Sequence, residues 1–149
     1  MKNKLWQVRF ILPKTVDTTY SEDMGYLIKR SFDADYNMRE HLPKVRGIEV
    51  KTNFAPMQRL VWTQNFGVVT KGLTEYEVYK NTLSVTLLRS VGVISNPKNP
   101  SRSTPAGPPI EVHEAQQLGE NVAEFSVGFF AKTNWKKAIN EVYPKYIYG

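Results

Sequence analysis

A chain of 149 residues without a cysteine has room for one core of ordinary size, but for no disulfide, thiolate zinc site or cysteine nucleophile. With 41% apolar and 23% charged residues it has the balance of a folded globular protein rather than a disordered one. The net charge of +6 raises nucleic-acid binding, yet Lys136 with Lys137 and Lys44 with Arg46 are the nearest approach to basic clusters, so no nucleic-acid partner is expected. No apolar run approaches the roughly 20 residues of a membrane span, and the start, from Met1 to Trp6, lacks the apolar stretch of a signal peptide. A cytoplasmic protein with no membrane partner is expected.

In chain order, most of the pattern has period two. Trp6, Val8, Phe10 and Leu12 alternate with Gln7, Arg9 and Ile11, which predicts a strand with one buried face. Tyr26, Ile28, Arg30 and Phe32 predict a second. Shorter extended pieces follow at residues 48–50 and 57–63, and a β-rich run at 66–70 ends at a turn on Lys71 and Gly72. Residues 75–79 and 83–89, separated by Lys80, Asn81 and Thr82, have hairpin spacing. Residues 92–119 carry five of the nine prolines, which excludes a central strand and predicts a long loop. Ala123, Phe125, Val127 and Phe129 alternate again. A short C-terminal helix is then predicted, with Thr133 as its cap and Trp135, Ala138, Ile139 and Val142 on its packed face, ended by Pro144. About eight short strands divided by turns predict an all-β fold, an antiparallel two-sheet sandwich forming one domain over residues 1–149.

Chemistry is sparse. His41 and His113 stand far apart in sequence, in no metal-binding spacing, and read as surface histidines; no metal ligands are expected in this chain. There is no Gly-x-Ser-x-Gly elbow, Walker loop or Gly-x-Gly-x-x-Gly fingerprint. Glu75 and Glu77 fall on one strand face, Cα atoms about 6.5 Å apart, a spacing that invites comparison with glycosidase carboxylates. Two neighbours on one strand do not flank a sugar from two sides, so neither is expected to be catalytic. Asp33 and Asp35 read as a strand entering a turn. Trp62, Tyr76, Tyr79, Phe129, Phe130 and Trp135 could stack on sugars, although aromatics in strands more often serve the core.

Specific motifs begin at Phe66. The run from Phe66 to Val78 contains Lys71-Gly72-Leu73-Thr74-Glu75-Tyr76-Glu77-Val78, and the run from Leu83 to Gly92 contains Leu87-Leu88-Arg89-Ser90-Val91-Gly92. Further on come Ala106-Gly107-Pro108-Pro109, then a segment from Ala115 to Glu120. The strand from Phe125 to Phe129 follows, with Asn134, Trp135 and Ala138 after it. Upstream, Asn53-Phe54 and Gln58-Arg59-Leu60 fit the same order more weakly. Together these resemble the C-terminal β-sandwich region of bacterial glycoside hydrolase family 38 α-mannosidases. Two departures are Thr74, where the family commonly has proline, and Phe129-Phe130-Ala131, where it commonly has Tyr-Pro-His.

The resemblance implies that this chain is a piece of a larger multidomain enzyme whose aspartate nucleophile and zinc site lie in a separate catalytic domain. It implies a non-catalytic domain that packs against that catalytic domain and supports action on mannose-containing glycans, with no cofactor of its own. In some members an arginine of this region reaches the sugar pocket, and Arg89 is the position that best matches it. Bracing of the neighbouring Pro-rich loop is the structural alternative for Arg89. An independent carbohydrate-binding module is the alternative function.

Overall fold

A computed structural model describes residues 4–36, 50–99, 101–102, 104–129, 137, 140–141 and 143–148. Two antiparallel sheets face each other. The first, in the order β1-β8-β7-β4, is built from Leu5–Ile11 (β1), Phe54–Pro56 (β4), Glu75–Tyr79 (β7) and Thr82–Arg89 (β8). The second, in the order β11-β6-β5-β2-β3, is built from Thr18–Asp23 (β2), Tyr26–Ser31 (β3), Leu60–Thr63 (β5), Phe66–Thr70 (β6) and Phe125–Phe129 (β11). The all-β sandwich expected from the alternation is the fold observed. Among the described residues no helix is long and apolar enough to cross a membrane.

The core lies between the sheets. Tyr76, Val78, Leu83 and Val85 of the first sheet meet Val61, Phe66 and Val68 of the second, and Val16, Met57 and Leu73 close the ends. A polar cluster crosses it: the Tyr76 hydroxyl lies 2.7 Å from the Thr19 hydroxyl and 3.5 Å from that of Ser21. This explains why β2 carries no apolar alternation. Its inward positions are Thr19 and Ser21, fully buried, with a phenol to satisfy them. The β2–β3 turn places Met24 at φ 51° and Gly25 at φ 81°, both left-handed as a tight two-residue hairpin turn requires.

The outer face of the second sheet is also apolar in part. Leu60 and Val69 are buried there against Tyr143 of the C-terminal helix, Tyr143–Tyr148 (α1). The Arg59 guanidinium lies 5.1 Å from the centre of the Tyr143 ring and grips the carboxylate of Glu22 with two N–H groups. Glu22 is 2% exposed, and that grip offsets the cost of burying its carboxylate.

Several expectations need correction. Pro144, expected as a stop, lies within α1, and most of the helix predicted before it lies outside the described residues. Thr133, Trp135, Ala138, Ile139 and Val142 lie outside the described residues, as do His41, Lys44, Arg46, Phe130 and most of the extended piece at 48–50. Residues 57–63 become a strand only from Leu60, and β2 and β4 were not expected at all. The Pro-rich stretch 92–119 is not a bare loop. Val93–Ile94 (β9) pairs with Ile110–Glu111 (β10), and a 3-10 turn follows at His113–Gln116. Within it Ser95 Oγ accepts from Gly107 N at 2.6 Å and donates to Gly107 O at 2.7 Å, a latch across the base of the proline segment.

Candidate functional site

Strict alternation from Leu83, Val85 and Leu87 would turn Arg89 into the core. The ladder prevents this. Trp6 stands opposite Leu88 but Gln7 stands opposite Thr86, leaving Leu87 unpaired in a β-bulge. The extra residue reverses the parity of the strand end and brings Arg89 onto the outer face of the first sheet, beside Thr86 and Glu75. There Glu75 Oε1 accepts from the Thr86 hydroxyl and from Arg89 Nη2, each at 2.7 Å. The Arg89 guanidinium also lies 5.2 Å from the centre of the Phe54 ring on β4, a cation–π distance. One residue thus ties together the ends of β8, β7 and β4.

Beside this cluster is a shallow cleft of about 240 Å³, lined by residues 72–75 and 86–89 and by Gln117. Gly72 forms part of it at φ +80°, where a Cβ would meet nothing within 4 Å. Gly72→Ala is therefore expected to cost about 1 kcal/mol through backbone strain alone, read as a lowered urea midpoint with an unchanged m-value. The φ of 46° at Gln117 carries the chain out of the 3-10 turn and sets this residue at the cleft's edge.

The other sequence candidates disperse. Glu77 does share the outer face with Glu75, but it accepts from Gln7 Nε2 at 3.0 Å, so the two carboxylates serve different partners. Asp33 Oδ1 accepts from Asp35 N, the turn expected of that pair. His113 is exposed, 3.8 Å from Glu111, and no group of three or more His, Asp or Glu among the described residues could hold a metal ion. Trp62 is buried and stacked on Tyr20 at 5.0 Å, and Tyr76 is in the core. Tyr79 lies under Lys80, and Phe129 is exposed on an edge strand against Phe66. Thr86, Phe54 and Gln117 stand in the motif runs of the sequence, but sequence alone gives none of them a site role. Their part depends on the bulge and on a distant turn, which leave no local signal.

No family model matches the chain. A Halalkalibacterium halodurans protein provisionally named mannosylglycerate hydrolase is 41% identical over 73 residues, 46% of this chain and 7% of that protein. Among solved structures, an alpha-mannosidase from Enterococcus faecalis superposes with a TM-score of 0.61 at 23% identity, over 94% of this chain and 15% of that one. A glycosyl hydrolase family 38 protein from the same organism gives 0.58 at 22% identity, with the same coverage. The chain thus spans a small part of each protein it matches. In motif order and in fold alike, it resembles a β-sandwich portion of family 38 α-mannosidases.

Proposed function

We propose that this chain is the non-catalytic C-terminal β-sandwich domain of an α-mannosidase, packed against a catalytic domain of the same polypeptide. The observation that carries this reading is a coincidence of sequence and space. The two runs that carry the family resemblance, around Glu75 and around Arg89, are the two walls of the cleft. Retaining hydrolysis needs a carboxylate nucleophile and an acid/base held across the scissile bond. Glu75 and Glu77 sit on one strand, each engaged by other side chains, and do not offer that arrangement. In this reading the nucleophile and any zinc ion belong to the catalytic domain, and the setting is cytoplasmic, in keeping with a chain that has no cysteine.

Arg89, 45% exposed and anchored on Glu75, stands at the cleft as a donor to hydroxyls of a mannose-containing glycan. In the complete hydrolase, Arg89→Ala is expected to lower kcat/KM on an aryl α-mannoside roughly tenfold, the loss of about one hydrogen bond in the transition state. The thermal midpoint should move little. Unchanged kinetics with a lowered midpoint would make Arg89 a brace for the strand ends and nothing more.

A further inference from the structure

The first sheet ends at β1, a strand of seven residues with no proline and a single charged side chain, Arg9. A free edge of this kind pairs with another strand unless something covers it. Leu12 N donates to Asn81 O, and Lys4 O accepts from Ser90 N, both at 2.8 Å. The even-numbered residues of β1 therefore turn their backbone groups toward β8. Those of Leu5, Gln7, Arg9 and Ile11 face outward, and among the described residues no strand takes them. The side chains beside this edge point the same way. Val127 and Phe129 of β11 share a face with their core partners Val68 and Phe66, yet they are 51% and 86% exposed. Phe10 of β1 lies 6.1 Å from Phe125, so this uncovered apolar face adjoins β1. Among the described strands, four in the first sheet stand against five in the second. The place beside β1 lacks one strand with apolar inward side chains.

We propose that a second copy of this chain fills that place, the two β1 strands pairing antiparallel about a twofold axis at Val8. The argument is one of register. Outward backbone groups must meet outward backbone groups, which restricts a twofold pairing to registers centred on a residue. Centring on Val8 uses the whole strand: Leu5 meets Ile11, Trp6 meets Phe10, and Gln7 meets Arg9. Centring on Arg9 would set two guanidinium groups directly opposite each other, and centring on Gln7 would carry Ile11 past the end of β1. In the Val8 register Ile11, 79% exposed, gains an apolar neighbour in Leu5 of the second copy. Gln7 donates to Glu77 Oε2 at 3.0 Å, which leaves its amide oxygen to accept from the second copy's Arg9. Trp6, Val8 and Phe10 of the second copy continue the inward apolar face toward Val127 and Phe129. The proposal does not rest on the assignment to an α-mannosidase.

The test is sedimentation equilibrium of the chain over a range of concentrations. The mass should pass from that of one chain to that of two, with a Kd of about 10–100 µM, because one strand pair is a small interface. Arg9→Pro removes one outward N–H and leaves the β8 ladder intact, so it should keep the circular dichroism spectrum and weaken the dimer at least tenfold. Ile11→Lys, at an exposed side chain, should weaken it likewise without touching the backbone. Val8→Cys reads the register, since the chain has no cysteine of its own. Facing residues at that position stand about 4.5 Å apart between Cα atoms, so mild oxidation should link two copies, whereas Arg9→Cys should stay unlinked. The mass of one chain at every concentration overturns the proposal, and so does a dimer that survives both Arg9→Pro and Ile11→Lys. Slow amide exchange at Gln7, Arg9 and Ile11 in the dilute, monomeric chain would give the edge to another segment of the same polypeptide, which overturns it too.

Discussion

Tyr76→Ala is expected to destabilise the chain by about 3–5 kcal/mol, lowering the thermal midpoint by about 6–20 °C. Tyr76 is fully buried, packs edge-on against Phe32 at 6.1 Å, and carries the hydrogen bond that links the sheets. Its truncation opens a cavity and strands the hydroxyls of Thr19 and Ser21. Tyr76→Phe separates the two effects, since it keeps the ring and should cost only about 1–3 kcal/mol. Burial pushes the Tyr76 phenol above its ordinary value of 10.0, against the opposing hydrogen bonds with Ser21 and Thr19 and the charge of Arg30. The folded state thus holds this proton more tightly than the unfolded state does. The stability it contributes is complete below pH 10.0 and is lost as pH rises from there through the folded value. Denaturant titrations at rising alkaline pH should show the parent losing stability faster than Tyr76→Phe, by up to about 1.4 kcal/mol per pH unit. Parallel curves would remove Tyr76 as the source.

Arg59→Ala is expected to cost about 3 kcal/mol, the lower end of the range for breaking a buried pair, because Arg59 itself is 36% exposed and water can partly replace it. Its partner cannot escape. Glu22 is embedded in β2, and its backbone carbonyl is also used by Gln58 N. The hydrogen bond to Glu22 holds the Arg59 guanidinium above its ordinary range. The same substitution removes the cation over the Tyr143 ring and should loosen α1, seen as faster proteolysis after Lys145. The double variant Glu22→Gln/Arg59→Met should recover most of the loss in a urea titration. If it unfolds as early as Arg59→Ala alone, the unpaired charge is not the cause.

The strands with one apolar face were legible from alternation because burial on one side imposes period two. β2 was not, since its buried hydroxyls of Thr19 and Ser21 look like solvent positions until Tyr76 arrives from the opposite sheet. β4 was missed for being three residues long and ending in Pro56 at a sheet edge. Proline breaks helix interiors, which predicts a stop at Pro144, yet Pro144 is the second residue of α1. The site was legible in part. Motif resemblance points to Arg89 as a site residue, while Glu75 stands in a motif run and in a carboxylate pair with no site role expected of it. That they meet depends on a one-residue slip opposite Trp6 and Gln7, a property of the ladder rather than of either strand.

The measurement that bears most directly on the assignment is immunodepletion of source-cell extract with antibody raised against this chain, followed by an aryl α-mannoside assay. The expected result is loss of α-mannosidase activity from the extract together with a polypeptide several times longer than 149 residues. Full activity left behind, with only a chain of this length captured, would contradict the account.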